Sequence, residues 1–147
     1  GKLLSPVQVA QFRRDGFLVL PGFVDAGRCL ELRERAIELA RKHVPSPEKA
    51  TVFTADGRAL HASDEYFLTS GEAIRCFFEK DAFDARGQLR ADAHLCLNKL
   101  GHAMHDLDPV FGSFSRTAEL AALADDIGMQ EPLLLQSMYI FKQARIG

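Results

Sequence analysis

The hydrophobic pattern is strongest near the end of the chain, at residues 133–143. Apolar side chains occupy both odd and even positions of this segment, so both faces of an extended strand would be largely apolar. A strand of this kind is covered on both faces inside a sheet. The sequence ends four residues later, without further strands to cover it. We therefore expect a buried strand and interpret the chain as the leading part of a larger fold.

The first helix is predicted from its end signals. Ser5 followed by Pro6 and Gln8 indicates a capped start, because the serine hydroxyl can accept a hydrogen bond from the Gln8 amide and proline loses no needed donor there. Gly16 can end this helix. The apolar run 17–20 then predicts a short buried strand, which Pro-Gly terminates.

A second helix is expected from an Asp25 cap to about residue 43. Its apolar positions recur at helical spacing: Cys29, Leu32, Ala36 and Leu39. Its basic residues alternate with glutamates three or four positions away, and this pattern is typical of a solvated face rather than a basic binding patch.

The middle of the chain predicts a small antiparallel sheet. Residues 66–69 and 74–78 flank Ser-Gly and are interpreted as paired strands, whereas the run 51–54 before Asp-Gly is a weaker hairpin signal. Arg-Gly at 86–87 indicates another turn. The order of predicted elements is helix, strand, helix, small sheet, helices and strand, within a single domain.

Three further elements are predicted before the final strand. Residues 98–106 can form a helix, Pro109 starts a short turn, and the apolar spacing of residues 120–127 predicts an amphipathic helix that ends at Gly128.

Composition limits the classes of function. A chain of 147 residues with 47% hydrophobic content can build one core. The net charge of -2, with 18 basic and 20 acidic residues intermixed, gives no field that would attract nucleic acid. No apolar run reaches the roughly 20 residues that span a bilayer, and no secretion signal is present. We expect a cytoplasmic protein without a nucleic-acid or membrane partner.

Cysteine and histidine patterns give no defined site. Cys29, Cys76 and Cys96 are odd in number and lie among apolar neighbours, which favours buried, reduced thiols. His102 and His105 lie three apart on a predicted helix and could hold a metal, but a third ligand at suitable spacing is missing. Ordinary polar or half-buried histidines are the favoured interpretation.

Four parts of the sequence resemble the phytanoyl-CoA dioxygenase family. They are residues 4–6 with 12–23, residues 64–71, residues 97–105 with 108–111, and residues 136–143. Their order and spacing match as well, and the resemblance covers essentially the whole chain.

This resemblance implies an α+β chain that forms the N-terminal helical and strand portion of a double-stranded β-helix, or jelly roll, with an incomplete barrel. Family members are Fe(II)- and 2-oxoglutarate-dependent oxygenases, whose iron is held by a His-x-Asp pair and a distant His. The pair follows the strand that matches residues 136–143, so no catalytic or metal-binding residue is assigned in this chain. Lys99 and Met138 are implied to bind 2-oxoglutarate.

The residues themselves are compatible with these two roles. Lys99 lies between Leu97 and Leu100, where partial burial would strengthen its attraction for a dianion; the alternative is a surface lysine whose stem covers apolar surface. Met138 shares a strand face with Gln136, so a thioether and an amide could point together into a barrel; the alternative is core packing.

The complete protein is expected to couple 2-oxoglutarate decarboxylation to hydroxylation of a small organic or acyl substrate, including acyl-CoA. Two alternatives remain: a non-catalytic 2-oxoglutarate-binding or regulatory fragment, and a structural piece completed by another chain.

We expect the 147-residue chain by itself neither to bind catalytic iron nor to turn over 2-oxoglutarate, because the resemblance implies that its iron ligands lie elsewhere. Succinate production by the purified chain, with and without Fe(II), measures this directly. Iron-dependent succinate would contradict the expectation, and a mass measurement of the same sample establishes that the chain is intact.

Overall fold

A computed structural model of the chain describes residues 2–45, 52 and 65–144. The predicted hairpin at 51–57 lies outside these residues, except that Val52 forms an isolated parallel bridge with Phe78. The elements, in order, are α1 Pro6–Asp15, α2 Ala26–His43, α3 Glu65–Leu68, a 3-10 turn Ser70–Glu72, β1 Ile74–Phe78, α4 Ala93–Cys96, β2 Leu97–His102, α5 Met104–Leu107, α6 Pro109–Ser115, α7 Ala118–Ile127 and β3 Ser137–Ile140.

The predicted helix ends are confirmed. The Ser5 hydroxyl accepts from the Gln8 amide at 3.3 Å, and Gln8 Oε1 accepts from the Ser5 amide at 2.9 Å, so both halves of the capping box are present. Asp25 caps α2 through a first-turn amide. Gly16 and Gly128 end α1 and α7 with φ of 79° and 91°, a left-handed conformation that glycine adopts without a steric penalty.

The charged face of α2 is solvated, as predicted. Arg28 pairs with Glu31 at 2.5 Å and Arg35 with Glu38 at 2.7 Å, each one helical turn apart. None of the described helices is long and apolar enough to cross a bilayer.

A three-stranded antiparallel sheet in the order β1-β2-β3 forms the centre of the described structure. Its register aligns Phe77, Lys99 and Ile140 across the three strands, and Cys76 with Leu100 at the neighbouring position. Because side chains alternate along a strand, Phe77, Lys99 and Ile140 face one side of the sheet. Cys76 and Leu100 face the other side.

One side of the sheet is covered by α2. Ala36, Leu39 and Ala40 of this helix are buried, and the Cys76 thiol lies 3.7 Å from the Ala40 carbonyl oxygen. The helix therefore packs directly on the sheet, which joins the N-terminal part of the chain to the strands in one core.

The predicted strand at 17–20 is wrong. Phe17 is 61% exposed and Val19 is 70% exposed, and these residues have no strand partner among the described residues. A short apolar run becomes a strand only where another strand completes its backbone hydrogen bonds, and here the run lies between α1 and α2 without one.

The predicted pairing of 66–69 with 74–78 is also wrong. Residues 65–68 form α3, because local side chains satisfy this backbone: Arg75 donates to the Tyr66 carbonyl, and Ser70 Oγ donates to the Phe67 carbonyl at 2.6 Å. The strand at 74–78 is confirmed as β1, but its partner is β2.

The predicted helix at 98–106 is replaced by β2 and the short α5. Strand β2 pairs on both edges, with β1 and β3, and most of its side chains are buried. Non-local pairing therefore overrides the local apolar spacing. The turn at 86–87 is confirmed, since the Gly87 amide donates to the Asp84 carbonyl at 3.0 Å. Pro109 starts helix α6.

The terminal strand is shorter and more exposed than predicted. Only Ser137–Ile140 forms a strand, at the edge of the described sheet, and Leu133 and Leu135 are 82% and 83% exposed. The expectation of a strand buried on both faces is wrong, because Met138 and Ile140 on one face of β3 are 45% and 52% exposed.

The cysteine prediction is confirmed for two of the three residues. Cys76 and Cys96 are buried free thiols, and burial raises the pKa of Cys76 to about 12. Cys29 is also free, but it is exposed on α2, so its predicted burial is wrong.

An ion pair with a buried carboxylate joins α2 to α6. Arg35 Nε and Nη2 each lie 2.7 Å from Asp108 Oδ2, and Asp108 Oδ1 accepts from the Val110 and Phe111 amides at 3.1 Å. Burial opposes the charge on Asp108, but the Arg35 guanidinium and the two amides outweigh it and lower the pKa of this carboxyl.

Replacing Asp108 by alanine is expected to lower the free energy of unfolding by about 2–4 kcal/mol, because a helix cap is lost and the Arg35 charge is left without its buried partner. Urea unfolding measures the change. Glu38→Ala is the matched control: it removes the exposed partner of the same arginine and should cost at most about 0.5 kcal/mol. Equal losses in the two variants would contradict this account.

The same carboxylate should make stability depend on pH. Its folded pKa lies below the ordinary value of 3.8, so its contribution is present at neutral pH and is lost as the pH falls through the folded pKa. Unfolding of the unmodified chain and of Asp108→Asn, compared between neutral pH and about pH 3, should show the smaller acid-induced loss in the variant. Parallel loss in both proteins would refute this assignment.

Candidate functional site

Lys99 is the buried cation of the described sheet. Its side chain enters from the central strand β2 and is 7% exposed. The ammonium nitrogen lies 5.4 Å from the centroid of the Phe77 ring and 5.7 Å from that of the Phe67 ring. Burial lowers the pKa of this amine, while the faces of the two rings are the negative ends of their quadrupoles and favour its charge.

The strand register and the short helix α3 build this environment. Phe77 is the direct partner of Lys99 across β1 and β2, and Phe67 reaches the same face from α3. The two rings meet edge to face with centroids 5.7 Å apart, and Tyr66 packs on Phe77 in the same manner at 5.6 Å.

Met138 lies on the same face of the sheet as Lys99. The register places it opposite Gly101, two residues beyond Lys99 along β2. A Cβ atom at Gly101 would lie 3.5 Å from Met138 Cγ, so the thioether side chain covers the glycine at van der Waals distance. The structure thus brings the two predicted cofactor-binding residues onto one face as diagonal neighbours, a relation that typically separates Cα atoms by about 7–8 Å.

His102 and Ser70 also belong to this site, although the sequence indicated His102 only as a candidate metal ligand and Ser70 only as a turn residue. The His102 ring lies 5.4 Å from the Phe77 ring and 6.0 Å from the Phe67 ring, and its Nδ1 atom is 2.8 Å from Ser70 Oγ. Strict alternation along β2 would place the His102 side chain on the face opposite to Lys99. Its contacts with Phe67 and Phe77 instead bring it to the same aromatic rings that contact Lys99. Burial, and then the charge of Lys99, lowers the pKa of this imidazole.

The two histidines considered as metal ligands do not act as a pair. His102 belongs to β2 and binds Ser70, whereas His105 belongs to α5 and its Nδ1 atom lies 2.9 Å from Ser137 Oγ. Within residues 2–45, 52 and 65–144, no group of three His, Cys, Asp or Glu side chains is arranged to hold a metal. The described residues therefore do not form an iron site.

The arrangement suits a small organic anion. A buried ammonium is a strong partner for a carboxylate, because low local polarity increases the attraction between opposite charges. Met138 is 45% exposed and adds a polarizable apolar surface on the same face. The described residues thus fit a keto acid by their chemistry.

Comparison with known proteins agrees with the sequence resemblance. The sequence profile described as Phytanoyl-CoA dioxygenase (PhyH) matches residues 12–147. A Bos taurus protein named phytanoyl-CoA dioxygenase domain-containing protein 1 is 43% identical over 147 residues, covering 98% of this chain and 50% of the relative. An Arabidopsis thaliana protein named phytanoyl-CoA dioxygenase is 38% identical over 144 residues, covering 98% of this chain and 50% of the relative.

A third relative, from Caenorhabditis elegans, is a homolog of phytanoyl-CoA dioxygenase domain-containing protein 1 and is 36% identical over 137 residues, covering 93% of this chain and 48% of the relative. The chain spans about half the length of the curated relatives it matches. The profile match extends from within α1 to the last residue and thus includes the sheet that carries Lys99 and Met138. The chain belongs to the phytanoyl-CoA dioxygenase family.

Proposed function

We propose that this chain supplies part of the 2-oxoglutarate site of an Fe(II)- and 2-oxoglutarate-dependent dioxygenase. The observation that supports the proposal most is the buried ammonium of Lys99 on the sheet face that also carries Met138. Family membership supports a dioxygenase in general, and the chemistry of these two side chains supports a keto-acid cosubstrate in particular.

Lys99 binds and orients the dianion in this proposal. Its ammonium already lies near the Phe77 ring of β1 and the Phe67 ring of α3, so little side-chain freedom is lost when a carboxylate binds. The surrounding rings keep water away from the ammonium, which strengthens the ionic hydrogen bond. Met138 packs against the carbon chain of the keto acid and restricts its orientation.

Iron, when bound with 2-oxoglutarate and oxygen, supplies the oxidant for hydroxylation of a C-H bond. The described residues offer no iron site, so none of them is assigned a role in that chemistry. We propose a small organic or acyl molecule as the second substrate. Acyl-CoA is included because curated relatives from Arabidopsis thaliana and Oryza sativa carry the name phytanoyl-CoA dioxygenase.

A non-catalytic 2-oxoglutarate-binding protein is the second candidate function. It is favoured by the buried cation of Lys99, which suits a dianion independently of any redox chemistry. Saturable binding of 2-oxoglutarate without succinate formation would select this candidate over the dioxygenase.

Lys99→Met is expected to weaken 2-oxoglutarate binding about 10- to 100-fold, because the variant keeps an apolar stem of similar length but loses the charged donor. Isothermal titration calorimetry on the 147-residue chain measures the dissociation constant.

Lys80→Met provides the matched control, since Lys80 is an exposed lysine just after β1 and should tolerate the same change without effect on binding. The proposal fails if the unmodified chain does not bind 2-oxoglutarate or if both variants bind it equally well.

A further inference from the structure

The hydrogen bonds of Ser70 determine the tautomer of His102. Ser70 Oγ lies 2.6 Å from the Phe67 carbonyl oxygen and 2.8 Å from His102 Nδ1. The carbonyl oxygen can only accept, so the single hydroxyl proton of Ser70 is directed to it. His102 must then donate from Nδ1, which leaves Nε2 without a proton in the neutral ring.

The imidazole and the Lys99 ammonium share the same two aromatic rings. The distances to the Phe77 centroid are 5.4 Å for both groups, and those to the Phe67 centroid are 6.0 Å for the imidazole and 5.7 Å for the ammonium. Both side chains are almost fully buried. A second positive charge at His102 would therefore repel Lys99 at close range in a poorly screened environment.

The other charged groups around His102 do not neutralise such a charge. Arg75 enters from β1 and is bound to the Tyr66 carbonyl, while Glu65 of α3 and Glu72 of the 3-10 turn are exposed. On the α5 side, His105 and Asp106 interact with each other at 3.4 Å. Among the described residues, no carboxylate forms an ion pair with His102, and its pKa is lowered.

We propose that His102 is a positioning residue for Lys99: Ser70 holds it as a neutral Nδ1-H imidazole, and this fixed ring keeps the Phe67 and Phe77 rings against the Lys99 ammonium, so that the ammonium stays directed toward the keto acid. The inference rests on the proposed function for its ligand. The pairing of His102 with Ser70 and its effect on Lys99 can nevertheless be measured without that ligand.

The tautomer is tested first, by nitrogen-15 NMR of the imidazole in the intact 147-residue chain at neutral pH. The expected result is a protonated Nδ1 and an unprotonated Nε2. A proton on Nε2 alone, or a doubly protonated ring, overturns the proposal.

The effect on the ligand is tested by calorimetric titration with 2-oxoglutarate. Ser70→Ala, His102→Leu and the double variant should each bind about 3- to 10-fold more weakly than the unmodified chain, the loss expected for releasing one ordered side chain. The double variant should be no weaker than His102→Leu, because both changes break one interaction.

His102→Gln should restore most of the lost affinity, since its neutral amide can donate to Ser70 in the same way. His43→Leu is the matched control: this half-buried histidine ends α2 and should leave binding unchanged. A purely structural role for His102 predicts lower melting temperatures with an unaltered dissociation constant in the folded variants, and that result overturns the proposal.

Failure of the proposed function has a different signature. If the unmodified chain does not bind 2-oxoglutarate, the titration of the Lys99 ε-carbon by NMR decides the positioning role. A further decrease in the pKa of Lys99 in His102→Leu supports the coupling between the two side chains, because the replacement exchanges a polar ring for an apolar side chain beside the aromatic rings that contact the ammonium. An unchanged Lys99 pKa overturns it.

Discussion

The pairing of β2 with strands on both of its edges is the constraint on which the described structure depends. It determines which side chains of the Leu97–His102 strand face α2 and which face the aromatic rings of α3 and β1. A shift of register by one residue would move Lys99 into the core below α2 and Leu100 into the site. The hydrophobic core and the candidate site therefore have a common origin in one register.

Burying an ammonium costs free energy, and the faces of neighbouring aromatic rings offset part of this cost. Phe67 and Phe77 offer their faces to Lys99, yet desolvation still lowers its pKa. A cation held in this way gains from any anion that replaces its lost hydration. In the proposed role of Lys99, the burial that is unfavourable for stability strengthens the attraction for an anionic ligand, as is common where proteins place charged groups for function.

The Arg35–Asp108 ion pair connects two of the helices that pack around the sheet. It joins α2, which covers one face, to α6, and Asp108 also caps α6 through two amides. Nearby, Ser137 Oγ of β3 accepts a hydrogen bond from the His105 amide of α5. The same hydroxyl lies 2.9 Å from Nδ1 of the His105 ring. These polar contacts connect α6 to α2 and α5 to β3.

The sequence by itself predicted the features that depend on near neighbours. Ser5 and Asp25 cap helices through amides three residues away, and Gly128 ends a helix through its own backbone freedom, so local chemistry is sufficient for these elements. The resemblance to known proteins identified the family and selected Lys99 and Met138. Their binding role stays a prediction, although the register does place them on one face.

Tertiary structure decided the rest. Residues 98–106 carry an apolar spacing that is compatible with a helix, but β1 and β3 give β2 hydrogen-bond partners along both edges. The contribution of His102 and Ser70, 32 residues apart, likewise depends on a hydrogen bond between distant parts of the chain. Local sequence encodes caps and turns because their partners are adjacent, whereas strand pairing and buried polar contacts depend on partners that only folding brings together.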